Sequence, residues 1–284
     1  MEEIAYLEKI NEASGEIPYV SPCSLNIKSF PHYHSEVEIV RCDKGSVGIV
    51  FEKESKSLKC GEIAVFMPYE IHDVITERDS AAVVIKMRPI TKSSEFDIEN
   101  IVLDKHFLKS GDCGYETVNS LISRIKTEKS NETAGFEIAL AAYSNEALLE
   151  ILRNIPSKHI SKEEARFRHK NIAAFKRVTE YIKANFKTNI SLADVAKYCG
   201  YSKFYFSRMF KEMTGMLFVD YLAAYRTKEA VRLMENTDFS QLDIAVEVGF
   251  NSYQRYVFSF KKIYGETPQK YKNRVINNET HNEK

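Results

Sequence analysis

Short hydrophobic runs that alternate with polar residues occupy the first third of the chain. Side chains of a β-strand point alternately to its two faces, so this pattern predicts strands. Turn signals such as Asp43-Lys44-Gly45 separate the runs. The predicted strands are residues 23–30, 37–42, 47–51, 63–66, 72–76 and 81–87. Short strands at this regular spacing indicate a small β-barrel or sandwich.

A helical period replaces the alternation after a break at Gly111 to Gly114. Apolar positions three and four residues apart predict two helices, one near residues 118–125 and one near 136–152. These helices could simply close one end of the barrel. We favour an antiparallel homodimer interface, because two amphipathic helices leave apolar surface that one small barrel does not cover.

The last third of the chain contains an internal repeat. Residues 191–200 recur as residues 240–249, at an offset of 49 residues that becomes 50 after the glycine. In each copy a serine stands at the N-cap of a short helix, a glycine ends it, and Ser202 or Ser252 caps the next helix. The second helices have apolar faces formed by Phe206, Met209, Phe210 and Met213 and by Tyr256, Phe260 and Ile263. Each copy therefore predicts a helix-turn-helix whose opposite face is free for a ligand.

One long helix is predicted between the copies, because residues 218–235 have helical apolar spacing and contain neither proline nor glycine. About 18 residues at 1.5 Å each span roughly 27 Å. Two recognition helices at that separation could enter successive major grooves, which lie roughly 34 Å apart along DNA. The repeat thus indicates a reader of double-stranded DNA.

Charge is distributed unevenly along a chain whose net charge is zero. Residues 170–274 contain 18 lysines and arginines against 10 aspartates and glutamates, a net charge of +8, so the remainder carries −8. Neutralisation of phosphates supplies much of the affinity of DNA-binding proteins. The basic region coincides with the repeat, which supports a DNA partner.

The length of 284 residues, 44% of them hydrophobic, suffices for about two domains with their own cores. No apolar run reaches membrane-spanning length, and the first residues are acidic, so we expect a cytoplasmic protein with no membrane partner. The five cysteines are scattered and include no CxxC pair, which predicts free thiols.

A cluster of chemically versatile side chains is predicted in the barrel. His32, His34 and Glu38 share one parity, so an extended segment aims all three at one face. With the glycine at position 45 they resemble the first motif of cupin barrels, and His72 stands where the second motif ends. In metal cupins the matching three histidines and one glutamate bind a divalent ion, a donor set that suits zinc, iron, nickel or manganese.

The second motif departs from the cupin pattern, since Tyr69 stands where a glycine belongs and Pro68 comes one residue late. Three interpretations stay open: a metal site, a metal-free ligand pocket and purely structural histidines. We favour the metal-free pocket, with no cofactor, because convergent polar groups suit a small hydroxylated or anionic effector such as a sugar or related metabolite. The expected effector-binding residues are His32, His34, Glu38, Arg41 and His72.

Residues 170–274 resemble the paired helix-turn-helix domain of AraC/XylS-type transcription regulators. The resemblance rests on the segments 190–196, 206–215, 221–230, 244–250 and 260–271, which include Ile-Ser-Leu-Ala-Asp-Val-Ala and Phe-Lys-Lys-Ile-Tyr-Gly-Glu-Thr-Pro. A cupin-like sensor ahead of such a domain is usual in this family. The resemblance implies a transcription regulator that is not an enzyme, more often an activator, with RNA polymerase as a partner. The alternative is a metal-binding cupin sensor or enzyme domain fused to a DNA-binding module.

The fold class expected from these patterns is multi-domain α+β. A cupin-like effector-sensing barrel with flanking helices precedes an all-α domain of two helix-turn-helix motifs joined by a long helix. A charged stretch with few aliphatic residues is typical of a linker between them. The expected segments are 1–110 (barrel), 111–156 (helical dimerisation segment), 157–170 (linker), 171–274 (DNA-binding domain) and 275–284 (polar tail).

Contacts to DNA bases are expected from the exposed N-terminal parts of the second helices. The expected residues are Lys203, Phe204, Tyr205 and Arg208 in one copy and Asn251, Ser252, Tyr253, Gln254 and Arg255 in the other. Arginine can pair with a guanine edge, and glutamine or asparagine with an adenine edge. Phe258 takes the place that Arg208 fills in the first copy, so the second copy lacks one basic contact.

Overall fold

The computed structural model describes residues 18–25, 30–51, 54–76, 79–89 and 97–274. The chain forms two compact units, one ending at His169 and one beginning at Lys170. The polar tail expected at 275–284 and positions 26–29 of the first predicted strand lie outside the described residues. Among the described helices, none combines the length and the apolar character needed to cross a lipid bilayer.

The N-terminal unit is built from antiparallel strands. They are β1 (Tyr19–Leu25), β2 (Val37–Lys44), β3 (Ser46–Phe51), β4 (Glu54–Lys59), β5 (Ile63–Phe66), β6 (His72–Thr76), β7 (Ala81–Met87), β8 (Ile101–Leu103), β9 (Phe107–Leu108) and β10 (Ser157–His159). A five-stranded sheet has the order β1-β7-β2-β5-β9, and a three-stranded sheet has the order β4-β3-β6. A further small sheet pairs β8 with β10.

Alternation along the strands gives the five-stranded sheet two buried faces. Even-numbered residues of β2 and β7, such as Val40 and Val84, pack in a core shared with the three-stranded sheet. Odd-numbered residues, such as Ile39 and Ile85, pack in a second core on the other face. Strands that are buried on both faces have nearly continuous hydrophobic sequences, which is why the bounds predicted for β5 and β7 agree with the structure. The bounds predicted for β6 also agree.

The strand β4 was not predicted from the pattern. Its sequence, Glu-Ser-Lys-Ser-Leu-Lys, is polar, and only Leu58 is buried. Since β4 pairs with β3 alone, it is an edge strand of its sheet, and a charged edge strand discourages pairing with other chains. Hydrophobic alternation therefore cannot find it.

Two helices, α1 (Tyr115–Asn131) and α2 (Phe136–Asn154), cover the outer face of the five-stranded sheet. Most of the apolar residues that predicted them, such as Ile122 and Leu148, are buried in the core with that sheet. The two helices thus act as a cover for the sheet. Ile138 and Leu149 of α2 remain exposed.

The segment expected to be a linker, 157–170, has regular structure. It contains β10 and the first turns of α3 (Lys162–Asn185). Ser161 and Glu164 explain the early helix start: the Glu164 amide donates to Ser161 Oγ (3.2 Å) and the Ser161 amide donates to a Glu164 carboxylate oxygen (2.8 Å). Arg168 on α3 donates to the backbone oxygens of Pro68 and Glu99.

The C-terminal unit contains the end of α3 and five further helices, followed by a helical segment at 268–274. The helices are α4 (Leu192–Cys199), α5 (Lys203–Thr214), α6 (Phe218–Asn236), α7 (Gln241–Glu247) and α8 (Tyr253–Tyr264). All four predicted serine caps are present, and Ser191 forms a reciprocal capping box with Asp194. The predicted apolar faces of α5 and α8 are also confirmed, since Phe206, Phe210, Tyr256 and Phe260 are buried.

The backbone segment that follows α3 is in contact with the connecting helix α6 and with the second helix-turn-helix copy. Arg226 of α6 is buried and donates to the carbonyl oxygens of Phe186 (2.8 Å) and Thr188 (2.7 Å). Gly249, in the turn of the second copy, lies against the same backbone: a Cβ added to it would stand 2.5 Å from the Phe186 oxygen. We call residues 186–188 the junction segment.

We expect Gly249→Ala to destabilise the C-terminal unit far more than Gly200→Ala. Both glycines have positive φ, but a Cβ at Gly200 would have no neighbour within 4 Å. Positive φ costs roughly 1–2 kcal/mol, and overpacking adds roughly 1–3 kcal/mol for Gly249 alone. Urea unfolding followed by circular dichroism measures both losses. Equal losses would mean that the close approach at the junction segment does not constrain the fold.

Candidate functional site

Four side chains in the N-terminal unit form a buried cluster, which we call the histidine–glutamate cluster: His32, His34, Glu38 and His72. One ligand atom from each can be chosen so that all four lie within 4.8 Å of one another. His34 Nε2 is 2.8 Å from Glu38 Oε2, and His72 Nε2 is 3.6 Å from the same oxygen. The four residues that the cupin-like motifs group together are therefore neighbours in the structure.

Strand pairing and alternation bring the cluster together. His32 and His72 form an isolated antiparallel bridge, in which the His32 amide donates to the His72 oxygen (3.0 Å). Glu38 is an even-numbered residue of β2, so it shares the inner face of the sheet with Val40. The ring of Phe66 stacks on His72 with 4.1 Å between centroids, which fixes the imidazole plane.

Lys86 is a fifth member of this environment that the sequence patterns did not identify. It lies directly opposite Glu38 in the pairing of β2 with β7, and its Nζ is 2.9 Å from Glu38 Oε2. The side chain is 2% exposed. Parity with Val84 on the inner face of β7 is the sequence signal that could have placed it beside Glu38.

Burial and nearby charges favour the neutral imidazoles of His32 and His34. Burial, followed by the charge of Lys86, lowers the pKa of His34 to about 4. Burial and the neighbouring His72 hold the pKa of His32 well below its usual value. Burial alone would raise the pKa of Glu38, but the charge of Lys86, the hydrogen bond from His34 and the nearby His72 outweigh it and hold that pKa well below its usual range.

Two ring nitrogens of the cluster lack a partner within the described part of the chain. These are Nε2 of His32 and Nε2 of His72, whereas each Nδ1 is hydrogen-bonded to a backbone oxygen, of Phe30 and Glu70 respectively. A buried polar atom without a partner costs roughly 1–3 kcal/mol. A hydroxylated ligand or water at the cluster would recover that energy. His32 is the most exposed of the four residues.

Arg41 does not belong to the cluster, contrary to expectation. It is an odd-numbered residue of β2 and therefore points to the opposite face from Glu38. Its guanidinium donates to Asp43 (2.7 Å), to Asn119 (3.0 Å) and to Ser123 (2.8 Å). The side chain connects the sheet to α1, on the face opposite to the four cluster residues.

The donor set of the histidine–glutamate cluster fits a divalent metal in type and spacing, but the position of Lys86 does not. Three imidazoles and one carboxylate suit a transition metal. The carboxylate oxygen closest to His34 and His72 is also the one that lies beside the Lys86 ammonium. In this arrangement the carboxylate of Glu38 is already paired with the ammonium of Lys86.

The expected DNA-contacting residues lie on the outer sides of α5 and α8. In α5 they are exposed, with Phe204 90% exposed and Arg208 paired only loosely with Glu212 (3.7 Å). In the second copy Asn251, Tyr253, Gln254 and Arg255 are also exposed. Ser252 differs from these residues, because its hydroxyl accepts from the Arg255 amide and caps α8.

Phe258 takes the place of Arg208 in α8 and is 71% exposed. An exposed aromatic side chain on a recognition helix can contact a thymine methyl group but cannot pair with a phosphate or with guanine. The two copies therefore present different chemistry at equivalent positions.

Comparison with known proteins identifies the family. Residues 173–274 match a family model described as a helix-turn-helix domain. The HTH-type transcriptional activator AarP of Providencia stuartii is 32% identical over 92 residues, which cover 32% of this chain and 68% of AarP. The chain belongs to the AraC/XylS family of transcription regulators.

Further relatives of this AraC/XylS-family chain agree. The Transposon Tn10 TetD protein of Escherichia coli is 36% identical over 97 residues, which cover 34% of this chain and 70% of TetD. The transcriptional regulatory protein HptR of Staphylococcus aureus is 30% identical over 94 residues, and the match covers 37% of its length. AarP and HptR are named as regulators of transcription.

One solved structure resembles nearly the whole chain. ToxT of Vibrio cholerae covers 90% of this chain and 97% of its own, with 14% identity and a TM-score of 0.50. This likeness concerns the fold alone. It agrees with an antiparallel sheet region followed by a helical DNA-binding domain.

Proposed function

We propose that this AraC/XylS-family regulator is an effector-controlled activator of transcription. It reads DNA with α5 and α8, binds a small hydroxylated or anionic metabolite such as a sugar at the histidine–glutamate cluster, and acts as a homodimer together with RNA polymerase. The single observation that carries the proposal is the duplicated, serine-capped helix-turn-helix with exposed polar residues on the outer side of both second helices.

The DNA-reading part rests on exposed side chains of suitable chemistry. Lys203, Arg208 and Arg255 are exposed cations, and Gln254 and Asn251 are exposed amides. These are the groups that pair with guanine and adenine edges in the major groove. Because α6 has 19 residues, it spans roughly 28 Å, close to one turn of DNA.

The effector part rests on the two unpartnered imidazole nitrogens. His32 Nε2 and His72 Nε2 lie next to a charged Glu38–Lys86 pair, so the cluster offers both hydrogen-bonding and ionic groups. A ligand with several hydroxyl groups, or a hydroxylated acid, matches this combination.

The dimer part rests on an exposed stripe of α2. Ile138, Ala142, Asn145 and Leu149 follow a spacing of four, three and four residues, which places them on one side of the helix. Ile138 is 76% exposed and Leu149 42% exposed. Packing of this stripe against its counterpart in a second copy would bury both residues.

Arg208→Ala and Gln254→Ala should each weaken discrimination between the target site and random DNA by roughly 1–3 kcal/mol, because each removes one base-reading side chain. Mobility shifts of the full chain, on a site selected by the protein from random DNA, measure this ratio. Arg232→Ala removes one exposed charge from α6 and should leave the ratio unchanged. Unchanged ratios in both recognition-helix variants would show that α5 and α8 do not read bases.

One member of a panel of sugars and hydroxylated acids should raise the melting temperature of the full chain. A ligand at about 100 times its dissociation constant adds about 2.7 kcal/mol, or roughly 5–10 °C. We expect His34→Ala to abolish the shift, whereas His159→Ala, at an exposed position, should retain it. A shift that survives in folded His34→Ala would place the effector elsewhere.

Sedimentation velocity should give twice the chain mass for the wild-type protein. The double variant Ile138→Glu and Leu149→Glu should be monomeric, because it places charges on the exposed stripe. Leu242→Glu with Val246→Glu is the matched control, since these two residues are exposed apolar positions of α7. A dimer that is lost only in the control would move the interface to the C-terminal unit.

A further inference from the structure

The carboxylate of Glu38 requires a positive charge nearby, because it is buried. It is 2% exposed, and a buried carboxylate without a counter-charge is strongly unfavourable. His34 Nε2 and His72 Nε2 lie 2.8 and 3.6 Å from one of its oxygens, and Lys86 Nζ lies 2.9 Å from the same oxygen. Of these three side chains, lysine is the one whose ordinary state is cationic.

Lys86 supplies that charge from a fixed position. The pairing of β2 with β7 places Lys86 and Glu38 directly opposite each other, where side chains on the same face meet. The ammonium and the carboxylate are 2.9 Å apart, and both side chains are almost fully buried. Lysine has a single flexible stem, so its ammonium can occupy the place that a bound cation would take beside the carboxylate.

A divalent metal would need the same oxygen. Three imidazoles and one carboxylate can complete a tetrahedral or larger coordination shell, and the two unpartnered nitrogens, His32 Nε2 and His72 Nε2, are available for it. A doubly charged ion and an ammonium beside one buried oxygen would repel each other strongly, because the interior screens charge poorly.

We infer that Lys86 is the resident cation of the histidine–glutamate cluster, that it excludes divalent metal ions, and that a neutral residue at position 86 converts the cluster into a metal site. The ligands would be His32, His34, Glu38 and His72. This inference concerns the cluster itself and does not require that an organic effector bind there.

Cobalt(II) is the probe, because coordination by histidine and carboxylate gives visible absorption and elemental analysis counts the bound ion. Wild-type full-length protein, dialysed against Co²⁺ and then against metal-free buffer, should retain almost none. Lys86→Met keeps the aliphatic stem, removes the charge and should retain about one ion per chain, with affinity raised about 100-fold. The double variant Lys86→Met, His34→Ala should lose the ion again. Lys176→Met, at an exposed lysine of α3, should behave as the wild type.

Retention of about one ion by the wild-type protein would overturn the inference without any variant. Folded Lys86→Met that retains no cobalt would overturn it as well. If Lys86→Met and Lys86→Gln do not fold alone, refolding with Co²⁺ but not with Mg²⁺ would support the inference, since a bound metal stabilises the fold. Failure to refold with either ion would contradict it. Failure of the effector proposal would instead appear as the absence of any thermal shift in wild-type protein.

Discussion

The arrangement of the two helix-turn-helix motifs depends on one contact, between the buried guanidinium of Arg226 and the carbonyl oxygens of the junction segment. Burial lowers the pKa of this guanidinium, yet it stays charged and donates to Phe186 and Thr188. Phe186 and Thr188 follow the end of α3 and precede the first copy. The second copy packs on the same segment through Gly249, and the Arg226 guanidinium lies 5.9 Å from the ring of Phe250. The linking helix α6 and the second copy are therefore packed on one piece of backbone, which continues into the first copy.

A different constraint organises the N-terminal unit. Because side chains alternate along a strand, each central strand contributes residues to two different cores. In β2, Glu38 and Val40 face the core between the sheets, while Ile39 and Arg41 face α1 and α2. The polar cluster sits at the end of the inner core, with Lys86 opposite Glu38. Because each position has its face fixed by register, moving the pairing by one residue would exchange the cluster for the helix-facing residues.

The structural elements that could be predicted from the sequence are those whose signals lie close together along the chain. Serine caps, turn glycines and strands buried on both faces have signals within a few residues, so α4, α5, β5 and β7 were predicted closely. Three of the four cluster residues could be grouped because they lie within seven positions of each other. The positions of Lys86 and Arg41 follow only from the strand pairing and the strand faces. The register of β2 with β7 places Lys86 beside Glu38, and parity places Arg41 on the opposite face. The strand β4 and the early start of α3 were not predicted, because their residues are mostly polar and lack a hydrophobic pattern.

The two turns of the repeat differ in which residues can replace their glycines. Gly200 faces open space, so other residues that tolerate left-handed backbone, such as asparagine, can replace it at small cost. Gly249 faces the junction segment at a distance that no side chain can occupy. Among descendants of an ancestral duplication, the glycine of the second turn should thus persist while that of the first varies. A single close contact thus constrains one glycine of a symmetric repeat and leaves its counterpart free to change.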